Sequence, residues 1–172
     1  MKILAFFKRN AANCMSMANL GFGILSLFFA FKGLFANACI MILLSVLFDG
    51  FDGRVARYFK CESELGKNLD SLCDLVGFGV APGMLLYFFT YPLLREAGIV
   101  ITLIFVFCGA FRLARFNVLN IHDYYVGIPI TLAGMIVGIL GFFGTLIPAV
   151  VWIVLALLLS YLMICTLKVK KL

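Results

Sequence analysis

The sequence predicts an all-α polytopic membrane protein, with six transmembrane helices preceded by a short amphipathic juxtamembrane helix. Three observations carry this. Of 172 residues, 65% are hydrophobic and 13% charged, whereas soluble domains sit nearer half and a quarter. Mean hydropathy is +1.15. The apolar residues also fall into long runs, each near the roughly 20 residues that a membrane-crossing helix needs. Barrel strands would instead show alternating segments of about 10 residues.

The elements follow in order. The opening stretch, MKILAFFKRNAANCMSMANLGFG, carries Lys8 and Arg9 after its first apolar cluster, and the part from Asn10 to Asn19 is polar. That order is wrong for a signal peptide and suits a helix lying on the membrane surface. Six spans are then expected at 15–31, 34–57, 69–91, 97–116, 126–143 and 146–167. Lys32-Gly33, the charged 60–67 stretch, 92–96, 117–125 and 144–148 separate them. Without repeats or linkers, residues 1–172 are expected to form a single transmembrane domain.

Charge sets the expected orientation. With the N-terminus in the cytoplasm, twelve of the fourteen basic residues fall on the cytoplasmic side, and only Lys32 and Arg95 lie opposite. Such a bias satisfies the positive-inside rule. Both termini are therefore expected in the cytoplasm. The net charge of +6 is assigned to topology and anionic headgroups, not to nucleic acid.

Six of the eight acidic residues lie between Asp49 and Asp74. Helical spacing places Ser45, Asp49, Asp52 and Ala56 on one stripe with Gly53 beside it, and Asp70 and Asp74 one turn apart on the next helix. A short link lets the two helices bring four carboxylates together. Such carboxylates repel strongly at low dielectric, so they are either partly protonated or bridged by divalent cations. An all-oxygen set without His or Cys suits Mg²⁺, Mn²⁺ or Ca²⁺. Two such ions could assist in-line displacement at phosphorus. Gly53 and Ala56 leave a notch beside Asp52 where a flat group can approach the backbone, and Arg57 supplies a fixed cation for phosphate. The bland alternatives are close helix packing by small residues and solvated helix ends. Ionisable groups at membrane depth argue against the second. Cys14, Cys39, Cys61, Cys73, Cys108 and Cys165 are scattered and expected to be small apolar fillers. His122, in a polar loop beside Asp123, is expected to be a bystander.

Asp49, Asp52, Gly53, Ala56, Arg57, Gly66, Asp70 and Asp74 fill every fixed position of the pattern D-x2-D-G-x2-A-R-x8-G-x3-D-x3-D. In this the chain resembles the CDP-alcohol phosphatidyltransferase family, whose core is also six helices. The resemblance implies that the first three aspartates hold metal and that Asp74 is a metal ligand or the base that deprotonates the acceptor hydroxyl. It also implies a cytidine site at Gly53 and Ala56, with Arg57 near the diphosphate. Ser63 corresponds to a phosphate-contacting Ser or Thr. Asn13 and Ser16 match the nucleotide-touching element of the first span, although Ala12 stands where the family usually has proline. A homodimer is implied as well.

The acceptor alcohol is addressed by three further stretches: LDSLCDLVGFGVAPG (69–83), GAFRLARFNV (109–118) and GIPIT (127–131). Together they resemble the small bacterial- and archaeal-type phosphatidylserine synthases of the family, with mild departures at Cys73 and Gly77. That resemblance implies transfer from CDP-diacylglycerol or CDP-archaeol to L-serine, with release of CMP, dependent on Mg²⁺ or Mn²⁺. Arg112 and Arg115 share a helix face, so one could clamp the serine carboxylate and the other a lipid-linked phosphate. Both could instead be positive-inside anchors. Glycerol 3-phosphate or myo-inositol as acceptor, and an aspartate-lined divalent-cation transporter or channel, are the competing expectations.

Overall fold

The computed structural model describes residues 2–59, 64–119, 124–165 and 168–170, with side chains for 13–51, 64–118 and 127–165. Among the described residues its elements are helices, apart from one pair of three-residue strands. The expected all-α class therefore holds.

Helix α1 runs from Lys2 to Phe31. The expected surface helix and first span are thus one continuous element, because no Gly or Pro interrupts the chain before Gly21. Its buried stripe is Ser16, Asn19, Gly23, Ser26 and Ala30, spaced three and four apart as one helical face requires. These small and polar residues let α1 lie closely along α2 (Phe35–Phe59). The turn between them uses Gly33 at φ 72°, the left-handed conformation that commonly follows a helix end. Ser26 Oγ donates to the Ala38 carbonyl at 3.0 Å and ties the two helices together.

Helix α3 (Glu64–Asp74), a π-helical turn (Leu75–Val80) and α4 (Ala81–Leu94) form one helical run. Within it, the Ala81 N–H reaches back to the Val76 carbonyl. A 3-10 turn, Arg95–Ala97, then leads into α5 (Gly98–Leu119). α3 starts before the expected 69, since Glu64, Leu65 and Lys67 are all good helix formers. The next helix starts late: α6 is Ile130–Gly141, because Gly127 takes φ 72° and Pro129 occupies the N-cap. Helix α7 (Ala149–Ile164) follows Pro148 and stops short of the expected 167. Instead of helix, β1 (Tyr124–Val126) pairs antiparallel with β2 (Lys168–Lys170), with Tyr124 opposite Lys170.

The core surrounds the π turn and α4. Phe78, Leu85, Leu86, Phe105, Ile130, Val137 and Trp152 are fully buried there. The outer surface is also apolar: Phe107 and Phe111 on α5, and Val150, Val154, Leu158 and Tyr161 on α7, are exposed. Hydrocarbon solvates such a surface, whereas water penalises a continuous apolar face. Two stretches, Asn13–Phe31 and Glu64–Val118, are long and apolar enough to cross a membrane, the second containing α3 to α5. Phe35–Phe51, Ile130–Gly141 and Ala149–Ile164 are shorter apolar helices.

Candidate functional site

Ligand oxygens of Asp49, Asp70 and Asp74 converge to within 4.8 Å of one another. Asp49 comes from α2, and Asp70 and Asp74 are one turn apart on α3. Helix α1 packs against both. Asp49 and Asp70 are half-buried and Asp74 is buried, about 8% exposed. Asp70 Oδ1 is itself shielded from solvent. The cluster lies along the helices, away from the segment that joins α2 to α3. From Asp49 the helix continues to Phe59, and α3 begins at Glu64, ten residues before Asp74. At 1.5 Å per residue, each is about 15 Å of helix away from the connecting segment.

The donor set fits a divalent cation. Opposite oxygens around octahedral Mg²⁺ lie about 4.2 Å apart, and a larger ion such as Ca²⁺ spreads them further. Three carboxylates within 4.8 Å need only small side-chain motions to close on such an ion. Among the described residues the converging donors are all carboxylate oxygens, which suit hard cations over softer metals.

Asn19 on α1 enters this cluster, and nothing in the sequence assigned it a role. Its Nδ2 donates to Asp74 Oδ1 at 3.0 Å. Ser45 Oγ donates to Asn19 Oδ1 and lies 3.2 Å from the Asn19 carbonyl oxygen. Asn19 and Ser45 are fully buried. The π turn comes in over this pair: a Cβ on Gly77 would stand 2.5 Å from Ser45 Oγ and 2.7 Å from Asn19 Oδ1. The available signal was the spacing Asn13, Ser16, Asn19, three polar residues on one face of an otherwise apolar span.

The second group of expected residues lies on α5. Arg112 is nine-tenths buried, with Nε shielded from solvent, and its guanidinium stands 5.6 Å from the centre of the Phe116 ring. Arg115 Nη1 donates to the Ile164 carbonyl at 3.1 Å, which anchors α5 to the last turn of α7. Asn117 Nδ2 donates to Ser71 Oγ at 2.8 Å. That bond joins two of the stretches singled out for the acceptor, one on α3 and one on α5.

The sequence model of the CDP-alcohol phosphatidyltransferase family matches residues 9–167. The chain belongs to this family. Among CDP-diacylglycerol–serine O-phosphatidyltransferases, it is 40% identical over 128 residues to one from Helicobacter pylori, covering 73% of this chain and 54% of that protein. A Bacillus subtilis protein of the same description is 40% identical over 107 residues, 62% of this chain and 60% of its own length. The archaetidylserine synthase of Methanothermobacter thermautotrophicus is 38% identical over 150 residues, 84% of this chain and 64% of that protein. The chain thus spans between about half and two thirds of the length of these relatives.

Of the expected family-motif residues, Asp49, Asp70 and Asp74 are brought together. Asp52, Gly53, Ala56 and Arg57 lie on the last turns of α2, with side chains outside the described set. Ser63 and His122 lie outside the described residues. Asn13 is half-buried and Ser16 buried on α1, the latter on the Asn19 stripe. Of the cysteines, Cys39 and Cys73 are buried, Cys108 and Cys165 half-buried and Cys14 exposed, while Cys61 lies outside the described residues.

Proposed function

We propose that the protein is a phosphatidylserine synthase that moves a phosphatidyl or archaetidyl group from CDP-diacylglycerol or CDP-archaeol to the hydroxyl of L-serine. The observation that carries this is the convergence of Asp49, Asp70 and Asp74 beside an apolar outer surface. A CDP-lipid needs both: hard ligands for a metal-bound diphosphate, and hydrocarbon for its tails. The serine synthase relatives support serine over glycerol 3-phosphate or myo-inositol.

Asp49, Asp52, Asp70 and Asp74 would hold one or two Mg²⁺ or Mn²⁺ ions, which neutralise the diphosphate and make its phosphorus more electrophilic. Gly53 and Ala56 leave room for cytidine, while Arg57, Ser63, Asn13 and Ser16 bind the nucleotide and its phosphates. Asp74 takes the proton from the serine hydroxyl. The serine oxygen then bonds to the lipid-bearing phosphorus as the bond to the CMP oxygen breaks, and CMP leaves with that electron pair. Arg112 meets the serine carboxylate or the lipid phosphate. Arg115, engaged with the Ile164 carbonyl, sets the position of α5 behind it.

The architecture belongs to the same proposal. Residues 1–172 form one domain crossing the cell membrane six times, with both termini and the site on the cytoplasmic side, assembled as a homodimer. Purified protein given CDP-diacylglycerol is expected to release CMP only when serine and Mg²⁺ or Mn²⁺ are both present, and to stop when EDTA is added. CMP release driven by glycerol 3-phosphate or myo-inositol, but not by serine, would overturn the assignment.

A further inference from the structure

We propose that Asn19 is a positioning residue for Asp74, itself held in place by Ser45 and the bare backbone of Gly77. The inference rests on the proposed metal-binding role of the aspartates and adds a residue that the family motif does not contain.

The chemistry of the partners fixes the direction of this relay. An ionised carboxylate can only accept hydrogen bonds, so the group that Asn19 turns toward Asp74 must be its NH₂. Its carbonyl oxygen then faces away, where Ser45 Oγ donates to it. A flipped amide would set two acceptors against each other at 3.0 Å. With Oδ1 engaged, the Asp74 carboxylate cannot turn about its last bond without breaking a buried hydrogen bond. The edge that it shows to Asp49 and Asp70 is therefore constant.

The surroundings are built for this contact. Asn19 and Ser45 are fully buried. A Cβ on Gly23 would come within 2.9 Å of the Gly77 Cα, so α1 and the π turn meet backbone to backbone. π turns often interrupt α-helices at functional sites. Here the turn begins directly after Asp74, and Gly77 covers the amide and hydroxyl with no side chain to displace them. Partners that orient metal ligands commonly change metal affinity by 10- to 100-fold when removed.

The test is Mn²⁺ binding to purified protein, followed by the paramagnetic signal of free Mn²⁺, without turnover. Asn19→Leu keeps the approximate size but removes the donor, and is expected to weaken Mn²⁺ binding by about 10- to 100-fold. Ser45→Ala should weaken it less. Combining the two should add little to Asn19→Leu alone, because Ser45 acts only through Asn19. Gly77→Ala removes no polar group yet displaces the amide, and should show a similar loss. Thermal melting of each variant separates this from packing damage, since a merely structural Asn19 would lower the melting temperature and leave the folded protein's Mn²⁺ affinity unchanged. Wild-type affinity in folded Asn19→Leu and Gly77→Ala would overturn the positioning role. Failure of the wild-type protein to bind Mn²⁺ would instead overturn the metal role of the aspartates, and this inference with it.

Discussion

Asp49 and Asp74 each sit ten residues from the segment joining their helices, Asp49 before Phe59 and Asp74 after Glu64. That equality brings carboxylates from two helices to one level, and it is visible in the sequence as motif spacing. Asn19 was not visible in the same way, because its role depends on a contact 55 residues away in the chain. Helical periodicity shows a face, but not what the face meets. The arginines divide similarly. Their shared face was legible, but only the structure distinguishes Arg112, buried beside Phe116, from Arg115, which donates to the Ile164 carbonyl. Arg112→Ala is therefore expected to raise the KM for serine or CDP-lipid about tenfold or more, the worth of one charge-assisted hydrogen bond. Arg115→Ala should act mainly on thermal stability. Steady-state kinetics and melting curves on both variants check this, and unchanged KM values in Arg112→Ala would return that residue to a topological role.

Among the helices, the apolar runs located the elements well, while the ends moved where local chemistry intervened. Gly127 and Pro129 delayed α6, and a helix-favouring stretch advanced α3. The π turn had no sequence signature apart from Gly77 and Gly79, and what it packs over, Asn19 and Ser45, is distant in the chain. Remote from the aspartates, α4, α6 and α7 lock together at the Phe89–Trp152 stack, with ring centroids 4.7 Å apart. Trp152 Nε1 donates to the Gly144 carbonyl at 3.2 Å. A Cβ at Gly144 would collide with the Phe89 ring, which stacks on the Trp152 indole. Gly144→Ala is thus expected to destabilise the protein by about 1–3 kcal/mol. Activity per folded molecule should stay near the wild-type value. A thermal melt paired with a CMP-release assay measures both.

At the scale of the molecule, the chain is ordered around a polar cluster that small residues make accessible, and its outward face is left to lipid. Composition made the membrane class and the helical class legible. The closing strand pair was not, because Tyr124–Val126 and Lys168–Lys170 are too short to carry a strand pattern and need each other to form. The proposed orientation predicts that a fluorescent protein fused after Leu172 will fluoresce in cells. Alkaline phosphatase fused there should stay inactive, and the reverse result would invert the topology. The central claim, that the aspartate cluster performs metal-dependent transfer to serine, is tested most directly with isotopically labelled serine. Wild-type protein with CDP-diacylglycerol and Mn²⁺ should place the label in the lipid fraction with one CMP released per serine, and folded Asp74→Asn should place essentially none. Label transfer by Asp74→Asn at the wild-type rate, or CMP release without labelled lipid, would contradict it.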